Sequence, residues 1–187
     1  WGVPGLEKYH GDSIFLTEVL TREAIGAMER ALDARKPFFL YMAHYAVHAP
    51  LEADTRFYEK YMAMGLEEPE ARYASMIEGM DKSLGDLMTA LDRLSISDST
   101  IILFMSDNGS PSHCPPNLPL RGHKLTPYEG GIREPCLVRW PGKIKPSIRN
   151  HDIVGGLDLM ATFATVAKTK LPEKDREGKP MIFDSYD

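Results

Sequence analysis

The chain has 187 residues, of which 43% are hydrophobic and 26% are charged, which is ordinary for a folded globular domain. A net charge of −5 gives no support for a nucleic-acid partner, and no apolar run approaches the roughly 20 residues that span a bilayer. Two cysteines, Cys114 and Cys136, are too few for a disulfide framework, and we expect Cys136 to lie in the core.

The first part of the chain contains one predicted helix and one predicted strand. Apolar side chains recur every four positions from Leu20 to Leu32, which predicts an amphipathic helix that Thr17 or Thr21 could cap. The apolar run FFLYMA, residues 38–43, predicts a buried strand. Polar and proline-containing sequence then continues to about residue 69.

The second part alternates helices with apolar strands. The sequence predicts a long helix over 73–94, a strand over 100–105, a strand over 136–140 and a helix over 156–168. Residues 106–134 form a long Gly- and Pro-containing loop, which is often functional in a compact domain. The pattern predicts an α/β layered fold with a largely parallel sheet flanked by helices, in which ligands bind at the carboxyl ends of strands.

Four residues beside these strand ends are candidate site residues. Asp107 and Asn108 follow the second strand and offer the oxygen donors that Ca²⁺ and Mg²⁺ prefer, although Asp-Asn-Gly is also common turn chemistry. His48 follows the first strand, and Lys124 lies between glycines in the long loop, where a lysine suits an anionic group. Together they suggest a site for a tetrahedral oxyanion, with a divalent cation on one side.

Neighbouring residues allow other interpretations. His44 and His48 are four residues apart, but the sequence between them is a poor helix and therefore a poor zinc pair. Lys124 could be an ordinary solvated loop lysine. Glu129 and Arg133, in the same loop, could pair with each other and hold its shape.

Three blocks of the sequence resemble the type I, formylglycine-dependent sulfatases. They are KPFFLYMAHYAVHAPLEA, YASMIEGMDKSLGDLMTALDRLSISDSTIILFMSDNGS and LRGHKLTPYEGGIREPCLVRWPGKI, in the family's order and spacing. The resemblance runs from about residue 12 to about residue 172. It implies the alkaline-phosphatase-like fold and the hydrolysis of sulfate esters, on a sulfated small molecule or glycan. It also implies a periplasmic, secreted or lysosomal location.

The resemblance assigns a role to each candidate residue. Asp107 and Asn108 match two ligands of the family's active-site Ca²⁺, with Mg²⁺ the less favoured ion. Lys124 matches the lysine that contacts the sulfate and the leaving-group side. His48 matches the histidine that contacts the sulfate ester and can protonate the leaving oxygen.

The family's nucleophile motif, C/S-x-P/A-x-R, is absent from the 187 residues. The upstream pair of metal-binding aspartates is also absent. The first residues have neither a start methionine nor the pattern of a signal peptide. We therefore expect residues 1–172 to be the C-terminal portion of the family's large domain, and residues 173–187 to begin a linker toward a smaller subdomain. The isolated chain is expected to be inactive and to bind Ca²⁺ poorly.

Two other functions remain open at this level. One is a phosphodiesterase or phosphonate hydrolase of the same superfamily. A histidine after Asp107 would favour that reading, and Asn108 stands there instead. The other is a non-catalytic, sulfatase-like binding protein that recognises sulfate without turnover.

Overall fold

A computed structural model describes residues 2–112 and 117–185. These residues fall into two compact units, divided between Lys145 and Pro146. The helices are α1 (Leu16–Asp33), α2 (Tyr58–Ala63), α3 (Glu68–Arg93), α4 (Glu129–Ile132) and α5 (Gly156–Val166), and the strands are β1 (Ile102–Met105) and β2 (Cys136–Arg139). None of the helices in this described part is long and apolar enough to cross a membrane.

The predicted first helix is confirmed as α1, but its start and its cap differ from the prediction. The helix begins at Leu16, and Phe15 occupies the N-cap position. Thr17 and Thr21 are not caps, because both lie inside the helix and are buried. The Thr21 hydroxyl donates to the carbonyl of Thr17 at 2.7 Å, which gives a buried threonine the partner that it needs in a helix.

The longest helix, α3, is confirmed close to its predicted bounds. It ends where Ser95 adopts a left-handed backbone with φ of 59°. That turn lets the N–H of Ile96 donate to the carbonyl of Leu91 at 3.0 Å, which satisfies a carbonyl at the helix end. The helix α5 is also confirmed, whereas α2 and α4 are short helices that the sequence did not predict.

The core of the first unit lies between α1 and α3. Met28 of α1 packs with Ala90 and Leu91 of α3, and all three side chains are buried. Phe38 and Ile102 pack against this cluster from the segments that follow each helix. The core therefore fixes where β1 begins relative to the two helices.

The two strands form an antiparallel pair within a fold for which the sequence predicted a largely parallel sheet. Met105 lies opposite Cys136, and Ile102 lies opposite Arg139. Cys136 is exposed, so its predicted place in the core is wrong. An apolar run indicates a strand, but it does not specify the direction of the neighbour or which face is covered. Cys114 lies outside the described residues.

The predicted strand over residues 38–43 is also wrong. The structure assigns no strand there, and Phe39 and Tyr41 are 73% and 83% exposed. A strand exists only where a second strand accepts and donates its ladder hydrogen bonds. The apolar run indicates a preference for strand structure, but no strand among the described residues pairs with it.

A polar stripe on α3 holds the segment that follows residue 43. The stripe consists of Arg72, Ser75, Gly79 and Ser83, which lie three or four residues apart and so share one face of the helix. Asp54 is fully buried against this stripe, and its backbone N–H donates to the Ser75 hydroxyl at 3.1 Å. A side chain on Gly79 would come within 2.5 Å of the Asp54 carboxylate, so only glycine leaves room for it.

Arg56 neutralises the buried Asp54 carboxylate with two hydrogen bonds. Its Nε and Nη2 donate to the two carboxylate oxygens at 2.9 and 2.6 Å, and its Nη1 reaches Glu18 of α1 at 3.0 Å. The guanidinium thus connects α1 to the loop, and the loop is joined to α3 by the bond from Asp54 to Ser75. A buried carboxylate without its cation is costly, because the charge has lost its hydration.

Replacing Arg56 by alanine in the full-length protein should therefore lower its free energy of unfolding by about 3–5 kcal/mol. The matched control is Arg93→Ala, because Arg93 and Glu29 form an exposed ion pair at 2.6 Å whose loss should cost only about 0–1 kcal/mol. Urea unfolding monitored by fluorescence compares the two. If both variants lose the same small free energy of unfolding, the buried pair contributes no more to stability than the exposed pair.

Candidate active site

Asp107 and Asn108 sit where β1 runs into a close contact between glycines. The N–H of Gly109 donates to the carbonyl of Gly131 at 3.3 Å. A side chain on Gly109 would overlap the backbone carbonyl of Gly130. Because Gly109 and Gly130 lack side chains, the backbone after Asn108 can lie directly against α4. We call Gly109, Gly130 and Gly131 the glycine junction.

The loop that carries Lys124 is joined to the same junction. The N–H of Lys124 donates to the carbonyl of Ser110 at 2.9 Å, and the N–H of Gly130 donates to the carbonyl of Arg121 at 2.7 Å. The side chain of Asn117 donates to the carbonyl of Gly130 at 2.5 Å. The structure therefore brings together the segments that carry Asp107, Asn108 and Lys124, although these residues are up to 17 positions apart in the sequence.

A second carboxyl group, Glu134, lies beside Asp107 and was missed by sequence reasoning. Burial raises the pKa of Glu134, the negative charge of Asp107 raises it further, and a hydrogen bond with Ser106 opposes the shift. One carboxyl oxygen of Glu134 is buried without a partner among the described residues. Two carboxyl groups at one strand end repel each other, and a bound cation would relieve that repulsion.

Ser106 connects these groups to the strand pair. Its N–H donates to the carbonyl of Pro135 at 3.3 Å, which extends the contact between the chains beyond Met105 and Cys136. Its hydroxyl donates to the carbonyl of Asn108 at 3.0 Å. The backbone of the Asp107–Asn108 turn is therefore fixed before any ion binds.

Asp107 and Asn108 fit a hard cation in their chemistry and supply part of a site. Asp107 is exposed and Asn108 is half-buried, so the carboxylate is open to a ligand. Ca²⁺ takes about 6–8 oxygen ligands, more than these two side chains provide. Within residues 2–112 and 117–185, no group of three or more His, Cys, Asp or Glu side chains could hold a metal ion.

Lys124 is the cation of its loop that remains open to an anionic ligand. Its neighbours are engaged: Arg121 stacks on the Tyr128 ring at 3.8 Å and donates to its hydroxyl at 2.9 Å. Arg133 pairs with Glu129 at 2.9 Å, as the sequence suggested. No carboxylate in the described part of the chain forms an ion pair with half-buried Lys124.

His48 lies in a separate, exposed loop. Its backbone N–H donates to the carbonyl of Tyr45 at 2.9 Å, and its ring Nδ1 lies 2.8 Å from the carbonyl of Ala49. A carbonyl oxygen only accepts, so Nδ1 carries a proton and Nε2 is the nitrogen left for a substrate. Among the described residues, no hydrogen bond joins His48 to Asp107, Asn108 or Lys124.

His44, the other histidine of this segment, contacts α3. The segment between His44 and His48 is not helical. The His44 ring packs toward α3, where its Nε2 lies 3.4 Å from the Ser83 hydroxyl. Burial lowers the pKa of His44, which favours the neutral imidazole.

Comparison with known proteins identifies the family. Residues 7–169 match the sequence profile of the Sulfatase family. The N-acetylgalactosamine-6-sulfatase of Canis lupus familiaris is 35% identical over 86% of this chain and 30% of its own length. A sulfatase of Formosa agariphila is 31% identical over 97% of this chain and 34% of its own length. The chain thus spans about a third of the length of these curated relatives.

Solved structures agree with the sequence comparison. Ps i-CgsB, crystallised in complex with k-i-k-neocarrahexaose, superposes with a TM-score of 0.80 and 36% identity, over 85% of this chain and 35% of that chain. A sulfatase from a study of glycosaminoglycan metabolism by Bacteroides thetaiotaomicron gives a TM-score of 0.70 at 29% identity, over 88% of this chain and 35% of that chain. These neighbours confirm the alkaline-phosphatase-like α/β fold class, of which this chain forms a part. The chain belongs to the Sulfatase family.

Proposed function

We propose that the protein containing this chain hydrolyses sulfate esters, and that Asp107, Asn108, Lys124 and His48 belong to its active site. The observation that carries the proposal is the glycine junction. It places the segment with two hard oxygen donors directly beside the segment with an open lysine. A cation and a lysine on neighbouring segments suit a transferring sulfuryl group, on which negative charge develops.

Each residue has a distinct task in this mechanism. Asp107 and Asn108 would hold one divalent cation, which we propose to be Ca²⁺ because both donors are hard oxygens. Lys124 contacts a sulfate oxygen as a compact positive charge. His48, as the imidazolium with Nδ1–H held by the Ala49 carbonyl, donates its second proton from Nε2 to the departing oxygen, so that the alcohol leaves neutral and the ring is left as the Nδ1–H imidazole.

The nucleophile is proposed to lie in a part of the protein outside these 187 residues. A hydrated formylglycine would supply the attacking oxygen there. The remaining ligands of the cation are proposed to come from the same part. The residues of this chain bind and orient the sulfate ester and neutralise its developing negative charge. Because the nucleophile lies elsewhere, the isolated chain should release no sulfate.

We propose a sulfated sugar as the substrate class. N-acetylgalactosamine-6-sulfatase is named for such a substrate, and Ps i-CgsB was crystallised with a carrageenan-type hexaose. Arylsulfatase A of Homo sapiens, 34% identical over 76% of this chain and 27% of its own length, makes an aryl sulfate the second candidate.

The test compares sulfate and phosphate esters on the full-length protein. We expect release of sulfate from N-acetylgalactosamine 6-sulfate or 4-nitrophenyl sulfate, and far slower cleavage of bis(4-nitrophenyl) phosphate. Preferred cleavage of the phosphodiester would favour a phosphodiesterase of the same fold. Binding of the sulfated sugar without turnover would favour a non-catalytic binding protein.

A further inference from the structure

The loop that carries His48 is held to α3 on both sides. After His48, Arg72 donates to the carbonyl of Leu51 at 3.3 Å, and buried Asp54 bonds to Ser75. Before His48, the contact is between His44 and Ser83. These contacts all use the polar stripe of α3. Between them the His48 turn is exposed to solvent.

The contact at His44 belongs to a chain of hydrogen bonds with a fixed direction. The Thr21 hydroxyl gives its only proton to the carbonyl of Thr17 at 2.7 Å. The Ser83 hydroxyl lies 2.6 Å from the Thr21 oxygen, so Ser83 must give its own proton to Thr21. Ser83 can then only accept from His44, and the proton of the neutral ring must be on Nε2.

His44 is therefore the hydrogen-bond donor to Ser83, because Thr21 and Ser83 have each used their single hydroxyl proton. A donor is required at the Nε2 position, and the partner is buried and already committed to Thr21. The Nδ1 atom of His44 is buried with no partner among the described residues, so the ring is held from its Nε2 side. Loss of this donor would free the first end of the His48 loop.

We propose that His44 is a positioning residue for catalysis. Through Ser83 it fixes one end of the loop that carries His48, and so keeps the His48 imidazole where it can protonate the leaving oxygen. This inference rests on the proposed function, because it assumes that His48 acts as the acid. A displacement of the acid by about 1 Å can cost about 10²-fold in rate.

The effect of the leaving group on kcat/KM distinguishes a positioning role of His44 from a general loss of structure. The 4-nitrophenolate ion leaves without a proton, whereas a sugar alkoxide needs one from the acid. In the full-length protein, His44→Leu and Ser83→Ala should lower kcat/KM for N-acetylgalactosamine 6-sulfate by about 10²-fold and kcat/KM for 4-nitrophenyl sulfate far less. His44→Gln should keep the wild-type ratio of the two substrates, because the Gln amide places an N–H where Nε2 of histidine lies.

Two controls make the outcomes distinguishable. His151→Gln changes an exposed histidine and should leave both rates unchanged. His48→Ala should show the leaving-group dependence in its strongest form. If His48→Ala shows it and neither His44→Leu nor Ser83→Ala does, the positioning role is overturned while the proposed function stands. An equal loss on both substrates in the His44 and Ser83 variants overturns it too. If the wild-type protein releases sulfate from neither substrate, the proposed function fails, and the role of His44 fails with it.

Discussion

Asp107→Ala in the full-length protein should lower kcat/KM for sulfate esters by about 10³-fold and remove the dependence of the rate on added calcium. The carboxylate is the only charged donor of the Asp107–Asn108 pair, and without it the proposed cation would lose the one charged ligand that this pair offers. The neighbouring Glu134 carboxyl should not replace it, because burial, the main cause of the raised pKa of Glu134, remains in the variant and disfavours the charged form.

The measurement is the initial rate against calcium concentration after removal of bound metal with a chelator. The matched control is Asp98→Ala, which removes an exposed carboxylate from the turn before β1. Asp98→Ala should keep the wild-type rate and the wild-type calcium dependence. An Asp107→Ala protein that behaves in the same way would return Asp107 and Asn108 to the role of a simple turn.

Gly130→Ala should have the second large effect, because it separates the two halves of the candidate site. A side chain on Gly130 would lie 2.7 Å from the carbonyl oxygen of Arg121 and would overlap the carbonyl of Gly122. Both neighbours are backbone atoms, so relief requires the loop that carries Lys124 to move away. We expect a loss of about 1–3 kcal/mol in the free energy of unfolding and about 10²-fold in kcat/KM.

The matched control for Gly130→Ala is Gly85→Ala. Gly85 lies inside α3 and has open space where a side chain would be added. Alanine is the better helix former, so Gly85→Ala should raise the free energy of unfolding by about 0.5–1 kcal/mol and leave the rate unchanged. A Gly130→Ala protein as stable and as active as wild type would show that the glycine junction does not hold the site together.

The sequence predicted those elements whose signal is local. The spacing of apolar residues located α1, α3 and α5, because helix hydrogen bonds lie within one segment. The same reasoning failed at residues 38–43, where the missing element is a partner strand. It did not anticipate the antiparallel pairing of β1 with β2, which depends on how the chain connects the two strands, or the exposure of Cys136, which depends on what covers the sheet.

The candidate site divides in the same way. Asp107, Asn108, His48 and Lys124 were predicted from residue types beside strand ends and from resemblance to sulfatases, and their roles stay predictions. Gly130 and Gly131 were noticed only as permissive loop residues. Their packing against Gly109 needs three-dimensional coordinates, because the residues are about 20 positions apart.

The residues that support the site were the least predictable. Asp54 appears in the sequence as one more surface acid, yet it is fully buried against α3. Glu134 and Ser83 give no pattern of their own, since each acquires a role only through its neighbours. One local signal existed, which is the glycine at position 79, where a helix interior would ordinarily prefer another residue.

The most direct test of the active-site assignment is the release of inorganic sulfate by the full-length protein and by its Lys124→Ala variant. N-acetylgalactosamine 6-sulfate is the substrate, and ion chromatography quantifies the sulfate. We predict one sulfate per substrate from the wild-type protein and a loss of about 10²–10³-fold in kcat/KM for Lys124→Ala. Sulfate release by Lys124→Ala at the wild-type rate, or none from the wild-type protein on sugar and aryl sulfates alike, would contradict the assignment.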